Sequence, residues 1–333
     1  MPSPVIALTM GDPGGIGPEV IAKCFKSFRP SRSFYYLLIG TQPPFDLLKQ
    51  KLGLSFPRHL VSNTGDLKLR HDRVNFLDIS SRAKQIFKKR EMGFKIGAVS
   101  IQNAAAAWAA LEAASQGAAK GLVKAFVTAP VNKTSMRLVN SGFSGHTEYL
   151  AKKAGSKKFA MMFVGSRLKV TLVTIHVPLR KVSGLITQEK VFEKIDLTNS
   201  FLKTRFKIKK PRIAVCALNP HGKETGTEEN EKILPAVQRA KRKGIDASGP
   251  LSADQIFFDA YEGRFDAVIS MYHDQGLAPF KMIAFRDGVN VTLGLPYIRT
   301  SPDHGTAFDI AYQGKADPSS MKSALDLAVK LAF

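Results

Sequence analysis

The chain has 333 residues, of which 44% are hydrophobic and 23% are charged. This length suggests two domains or one large domain, and the composition excludes a wholly disordered chain. The 49 Lys and Arg residues outnumber the 27 Asp and Glu residues and give a net charge of +22, which raises the question of a nucleic-acid or membrane-surface partner.

Short apolar runs alternate with longer amphipathic segments along the chain. The apolar runs, many of them rich in Val and Ile, predict buried strands at residues 5–10, 35–39, 74–77, 123–128, 159–164, 170–175, 213–218, 267–271 and 289–293. The segments between them predict helices at residues 18–28, 96–115, 188–203, 229–243 and 319–331. This alternation predicts an α/β fold with a mainly parallel sheet.

A glycine-rich turn, MGDPGGIGPE at residues 10–19, joins the first predicted strand to the first predicted helix. A dinucleotide-binding loop would occupy this position, but the spacing is not G-x-G-x-x-G. No acidic residue ends the next apolar run to bind a ribose. The sequence therefore favours a tight turn beside a ligand site over a Rossmann nucleotide site.

Three of the seven histidines follow apolar runs: His176, His221 and His273. Ligands of parallel sheets bind at the carboxyl ends of strands, and imidazole is a common ligand of divalent metals. A shared metal site is one hypothesis. The other is that these are ordinary hydrogen-bonded loop histidines, because their wide separation matches no local metal motif.

Anion-binding candidates stand in two further segments. The sequence GHTE at residues 145–148 opens a helical stretch, where His146 and the exposed N–H groups suit a phosphate or carboxylate, although Thr147 could be a simple N-cap. Lys281 and Arg299 lie in apolar segments, so each needs an anionic partner, and Asn290 lies between them in the chain.

The densest basic run places six cations within residues 203–212. It could contact a polyanion or be a solvated helix end, and the second interpretation is favoured because no zinc-finger spacing or RNA-recognition signature accompanies it. Cys24 and Cys216 predict buried thiols and no disulfide framework. The sequence begins without a signal-peptide pattern and has no apolar run of membrane-spanning length, so we expect a cytoplasmic protein without nucleic-acid or membrane partners.

A set of motifs resembles the 4-hydroxythreonine-4-phosphate dehydrogenase (PdxA) family of the vitamin B6 pathway. The resemblance runs in order from residue 6 to about residue 312. It rests on the glycine turn and on GHTE at 145–148, TIHVPL at 174–179, LNPH at 218–221, GTEE at 226–229, GPLSAD at 249–254, MYHDQGL at 271–277, NVTLGLPYIRTS at 290–301 and DHGTA at 303–307.

The resemblance implies the non-Rossmann α/β fold of the isocitrate and isopropylmalate dehydrogenases, with the active site in a cleft between two α/β domains. In that fold the chain begins in one domain, builds the second and returns to the first. We expect residues 1–127 and 277–333 to form the NAD-side domain. Residues 128–276 would form the metal and dimer-interface domain.

The family pattern also implies site residues and cofactors. The metal ligands would be His176, His221 and His273, holding one Zn, Mg or Co ion in a site shared across a homodimer. The substrate would contact His146, Thr147, Lys281, Asn290 and Arg299. Lys281 and Asp254 are the catalytic candidates, and NAD or NADP would contact Asp303, His304, Gly305 and Thr306.

The implied reaction is NAD-dependent oxidation of 4-phosphohydroxy-L-threonine at C3, with decarboxylation to 3-amino-2-oxopropyl phosphate. The alternative is a paralogue that oxidises another phosphorylated hydroxy acid, such as threonate or erythronate phosphate. Between His221 and Gly226 this chain has four residues, fewer than we expect of the family, and a short loop beside a metal ligand bears on substrate choice.

Overall fold

The computed structural model describes residues 3–61, 68–87, 93–222 and 224–333. The chain forms two compact units. The first combines Met1–Gly155 with Pro296–Phe333, and the second is Ser156–Leu295. The first unit is therefore discontinuous, since the chain leaves it, builds the second unit and returns.

The secondary structure alternates as the sequence predicts. Up to residue 155 the elements are β1 (Val5–Thr9), α1 (Gly17–Lys26), β2 (Tyr35–Gly40), α2 (Pro43–Leu52), β3 (Arg58–Val61), β4 (Val74–Asp78), α3 (Ser80–Phe87), α4 (Ile101–Ala119), β5 (Val123–Thr128), α5 (Lys133–Arg137) and α6 (His146–Lys153). The second unit contains β6 (Ala160–Val164), β7 (Lys169–Leu172), a 3₁₀ turn (Leu179–Lys181), α7 (Val182–Leu185), α8 (Gln188–Thr204), β8 (Ile213–Cys216), a π-helical turn (Glu229–Ile233), α9 (Leu234–Arg242), β9 (Ala247–Leu251), α10 (Ala253–Tyr261), β10 (Ala267–Ser270), α11 (His273–Ala284) and β11 (Val289–Leu293). The return to the first unit adds β12 (Ile298–Pro302), a 3₁₀ turn (Phe308–Ile310) and α12 (Ser319–Ala332).

The first unit contains a parallel sheet in the order β3-β4-β2-β1-β5-β12. All five residues of β1 are buried, which explains why this run is apolar throughout and does not alternate. The order differs from the 3-2-1-4-5-6 order of a Rossmann sheet, as the family resemblance implied. Helix α4 begins after Ser100, whose hydroxyl accepts the N–H of Asn103, and its alanine-rich surface is largely buried.

The second unit contains strands in the order β11-β6-β7-β10-β8-β9. The ladder from β7 to β9 is parallel, whereas β6 runs antiparallel to both of its neighbours. An apolar cluster covers one face of these strands, with α10 and α11 contributing Ile256, Phe257 and Phe280. The prediction of a mainly parallel sheet is therefore correct, with β6 as its antiparallel member.

The boundaries between the units differ from the predicted ones at 127/128 and 276/277, and fall at 155/156 and 295/296. The first shift arises because the chain after β5 stays with α4. The ring of Trp108 on α4 contacts Phe143 and Tyr149, with centroids 6.1 and 4.8 Å apart. The second shift arises because β11 pairs with β6 and so belongs to the second unit.

All nine predicted strands form, but two of them end early. The apolar runs at 170–175 and 213–218 leave the ladder after Leu172 and Cys216, so their last residues form the edge from which loops emerge. Both cysteines are free thiols, as predicted, but only Cys216 is buried, whereas Cys24 is partly exposed. Among the residues that the structure describes, no helix is long and apolar enough to cross a membrane.

Candidate functional site

Three neighbouring strands of the second unit carry the strand-end histidines. Strand β10 lies between β7 and β8 and is parallel to both. The carboxyl ends of these strands therefore lie along one edge of the sheet, and His176, His221 and His273 follow those ends. The sequence predicted the strand ends, and the structure adds that the three strands are adjacent.

His176 and His273 lie next to each other. The N–H and hydroxyl of Thr174 both donate to the carbonyl of Met271, at 3.1 and 2.8 Å, and so tie the segment after β7 to the end of β10. The two imidazole centroids are 5.6 Å apart. Both rings line a shallow pocket together with Thr174, Tyr272 and Asp274. The Nδ1 atom of His273 lies 3.3 Å from a carboxylate oxygen of the exposed Asp274.

His221 emerges from a loop that two carboxylates fix. Glu229 is buried and accepts the N–H groups of Leu218 and Asn219 at 2.9 and 2.8 Å. Glu228 accepts the side-chain amide of Asn219 at 3.0 Å and the hydroxyl of Ser183. These hydrogen bonds lower the pKa of Glu228 to about 2, and the bond from Ser183 contributes most. Both acids therefore position the loop that carries His221. Of this loop, residue 223 lies outside the described residues.

Asp254 stands in the first turn of α10, near His221. Its carboxylate accepts the Ser252 hydroxyl at 2.5 Å, and this hydrogen bond is the main cause that lowers its pKa. The positive charge that His221 would carry acts in the same direction. Asp254 is thus an ionised, exposed acid at the edge that carries the histidines.

The backbone at two of the histidines is strained. His176 and His221 have φ angles of 40° and 57°, in the left-handed region that non-glycine residues seldom adopt. Within residues 3–61, 68–87, 93–222 and 224–333, no three His, Cys, Asp or Glu side chains close around a potential ion position. The donor chemistry of the three imidazoles fits a metal of the zinc type.

The first unit contains an anion-type site built around Arg299 on β12. Arg299 is 3% exposed, and its Nε and Nη2 atoms donate to the hydroxyl of Thr128 at 3.1 and 2.6 Å. Thr128 ends β5, the strand that pairs with β12. Burial lowers the pKa of Arg299 to about 10, so its guanidinium remains charged at neutral pH. Sequence analysis did not single out Thr128, although its position at a strand end was a usable signal.

His146 and Thr147 open α6 in the same unit. Gly145 occupies the cap position, so the interpretation of Thr147 as a simple N-cap is wrong: the helix begins two residues earlier than that cap requires. The Nε2 atom of His146 is buried and has no hydrogen-bond partner among the residues that the structure describes. Burial, with help from the charges of Arg299 and Lys133, lowers the pKa of His146 well below its usual value. His146 is therefore a neutral imidazole with a free polar atom.

The remaining two substrate candidates lie in the second unit. Lys281 is half-buried in the last turn of α11. Asn290 lies on β11, opposite Phe163 of β6, and its side-chain oxygen is buried without a partner in the described structure. The five residues expected at the substrate are thus divided between the units, with His146, Thr147 and Arg299 in the first.

The glycine turn packs against the segment expected to contact NAD. The N–H of Ile16 donates to the carbonyl of Thr306 at 2.9 Å. A Cβ at Gly15 would lie 2.8 Å from that same carbonyl oxygen, so only glycine permits this approach. Asp303 is held by the Ser320 hydroxyl, which accepts its N–H at 3.0 Å, and His304 Nδ1 lies 3.0 Å from the carbonyl of Gly305. The turn therefore supports the 303–306 segment.

Asp12 lies inside the glycine turn, and its titration was not foreseen. It is 1% exposed, one carboxylate oxygen accepts the N–H of Gly14 at 2.9 Å, and the other has no partner among the described residues. Burial raises its pKa to about 6. Its sequence position gave no sign of this shift, because burial of a turn depends on packing from distant segments.

Comparison with known proteins decides the family. The profile described as "PdxA: Pyridoxal phosphate biosynthetic protein PdxA" matches residues 47–328. This chain belongs to the PdxA family. It is 43% identical to the 4-hydroxythreonine-4-phosphate dehydrogenase of Desulforapulum autotrophicum, over 98% of this chain and 94% of that protein. It is 39% identical to the D-threonate 4-phosphate dehydrogenase of Pectobacterium atrosepticum, over 99% of this chain and 100% of that protein.

Solved structures of the PdxA family share the fold. The 4-hydroxythreonine-4-phosphate dehydrogenase of Klebsiella pneumoniae matches with a TM-score of 0.86 and 35% identity, over 99% of this chain and 98% of that chain. A terephthalate 1,2-cis-dihydrodiol dehydrogenase from Burkholderia xenovorans matches with a TM-score of 0.66 at 23% identity, which shows a common fold alone. The predicted dehydrogenase-type α/β fold is confirmed.

Proposed function

We propose that this PdxA-family protein oxidises 4-phosphohydroxy-L-threonine at C3 and decarboxylates the product to 3-amino-2-oxopropyl phosphate. The reaction serves pyridoxal phosphate biosynthesis. The observation that carries the proposal is the buried Arg299 beside a neutral His146, in a chain 43% identical to a full-length relative of that name. A fixed guanidinium and an uncharged imidazole are suited to a terminal phosphate.

The first unit supplies the phosphate end of the site. Arg299 is held by Thr128, so its guanidinium keeps a fixed position. His146 offers a ring nitrogen, and Thr147 lies at the positive end of α6. Binding the phosphate there would orient the hydroxyl-bearing carbon, and orientation by a non-reacting group lowers the barrier to reaction.

The second unit supplies groups for the reacting end. Lys281 is our candidate to take the proton from the C3 hydroxyl, or to return one after loss of CO2. Asn290 would donate its side-chain amide N–H to a polar group of the substrate. Asp254 would lie, as an ionised acid, beside the sheet edge that carries the three histidines. Each assignment follows the family pattern.

A divalent ion, Zn, Mg or Co, would be held by His176, His221 and His273, and when bound it supplies Lewis-acid polarisation of the substrate oxygen. NAD or NADP would lie along Asp303, His304, Gly305 and Thr306, and when bound it accepts the hydride from C3. We propose that this site is shared by the two chains of a homodimer, as the family pattern implies. We place the enzyme in the cytoplasm.

The test is a substrate comparison. Purified protein with added divalent metal and NAD is given 4-phosphohydroxy-L-threonine or D-threonate 4-phosphate, and NADH formation is followed together with release of CO2. We expect the higher kcat/KM with 4-phosphohydroxy-L-threonine. A higher value with D-threonate 4-phosphate would move the chain to the function named for the Pectobacterium atrosepticum relative. No reduction of NAD or NADP with either compound would contradict the proposal.

A further inference from the structure

Lys133 stands at the start of α5, five residues beyond the end of β5. The preceding residue, Asn132, caps the helix by accepting the N–H of Ser135 at 2.9 Å. The same strand end provides Thr128, the acceptor for Arg299. The short connection between Thr128 and Lys133 thus places a cation near the anion-type site, and the family motifs quoted above do not include it.

The stem of Lys133 lies against the start of α6. A Cβ built on Gly145 would be 3.7 Å from Lys133 Cε and 2.7 Å from a carboxylate oxygen of Glu148. Gly145 directly precedes His146 and Thr147. The stem of Lys133 therefore lies beside the beginning of the helix, where the anion-binding N–H groups lie.

Lys133 is an exposed cation with one acid, Glu148, nearby. It takes part in none of the ion pairs found among the described residues. Its positive charge is felt at His146, together with that of Arg299. Glu148, in the first turn of α6, is the acid that faces this group, and it lies where the helix dipole stabilises a carboxylate.

We propose that Lys133 is an additional ligand of the substrate phosphate, closing over it opposite the fixed guanidinium of Arg299. This inference rests on the proposed function. Arg299 is buried and held by Thr128, whereas Lys133 is exposed on a flexible stem. A phosphate dianion bound by His146, Thr147 and Arg299 would attract the mobile ammonium group of Lys133, which would then cover the solvent-facing side of the phosphate.

The test compares Lys133→Gln with Lys153→Gln. Lys153 is a matched control because it lies on α6 and pairs with Glu112 at 3.7 Å, away from the anion-type site. For Lys133→Gln we expect KM for the phosphorylated substrate to rise about 10-fold, because a hydrogen bond to a charged group is lost, with little change in kcat. The inhibition constant of inorganic phosphate should rise by a similar factor. Lys133→Arg should restore most of the loss, and Lys153→Gln should behave as wild type.

Three results separate the alternatives. Unchanged KM and unchanged phosphate inhibition in Lys133→Gln would overturn the inference. A rise confined to KM for NAD or NADP would also overturn it, because Lys133 would then serve the diphosphate of the dinucleotide. If wild type oxidises neither phosphorylated substrate, the proposed function fails. Calorimetric binding of inorganic phosphate to wild type and Lys133→Gln, both checked by circular dichroism, still decides the role of Lys133.

Discussion

The two polar regions of this molecule are built in opposite ways. In the first unit, Arg299 and the ring nitrogen of His146 are buried, and their surroundings hold them in one arrangement before any ligand arrives. In the second unit, His176 and His221 are exposed after strand ends. Hydrogen bonds of the preceding residues Thr174 and Asn219 hold the segments that carry them. The first region offers buried polar groups to an anion, whereas the second offers exposed imidazoles.

This difference has a physical reason. A buried guanidinium keeps a strong attraction for an anion because little water competes for it, and the neutral imidazole beside it adds no second buried charge. Histidines that bind a metal must be accessible and unprotonated, so exposure and a fixed loop serve them better than burial. Burial therefore distinguishes the region proposed to bind the phosphate from the region proposed to bind the metal, and mutations should affect the two regions independently.

Arg299 tests the anion region with the largest expected effect. Replacing it in Arg299→Met removes a buried charged donor and leaves the substrate phosphate uncompensated. We expect kcat/KM to fall about 1,000-fold, as for the loss of one partner of a buried charge pair. Arg299→Lys keeps the charge without the planar donor fork and should lose less. Steady-state kinetics with the phosphorylated substrate measure both variants. A loss below about 10-fold in Arg299→Met would show that the phosphate binds elsewhere.

Asp12 tests whether burial alone shifts titration in the first unit. Its pKa is raised to about 6, so the folded state binds a proton more tightly than the unfolded state. The stability that this proton provides is complete below pH 4 and is lost as the pH rises through 6. Relative to Asp12→Asn, wild type should therefore lose up to about 3 kcal/mol of unfolding free energy between pH 4 and pH 7.

Urea unfolding of wild type and Asp12→Asn at pH 4, 5, 6 and 7 measures this loss. Asp72→Asn is the control, because Asp72 is an exposed acid paired with Arg70 and its pKa is lowered. A constant difference between wild type and Asp12→Asn across this pH range would show that Asp12 titrates normally. The buried carboxylate would then have a partner that compensates its charge.

The sequence predicted much of this fold because buried parallel strands have a recognisable apolar pattern. It missed β3, β9 and β12 for specific reasons. Strand β9 contains Gly249 and Pro250, which are typical of turns, and β12 contains Arg299 among polar residues. Strand β12 thus carries Arg299, a candidate binding residue, and this same residue breaks the apolar pattern by which a buried strand is recognised. The unit boundaries were also missed, because they depend on which strands pair and which helices pack.

The candidate site was predictable as residue types and strand ends, but not as an arrangement. Strand-end position singled out His176, His221 and His273, and the family resemblance gave them a role. The clamp of Asn219 by Glu228 and Glu229 could not be foreseen, since it depends on a loop folding back on itself. The burial of Asp12 and the approach of Lys133 to Gly145 likewise arise from packing between segments distant in the chain.

Metal binding by wild type, His221→Ala and Arg299→Met tests most directly that the two regions have separate ligands. Metal-free protein is titrated with Co²⁺, and the visible absorption of the bound ion is followed. We predict that His221→Ala weakens Co²⁺ binding at least about 100-fold, whereas Arg299→Met binds Co²⁺ as wild type does. Co²⁺ binding by His221→Ala with wild-type affinity, or loss of binding in Arg299→Met, would contradict this account.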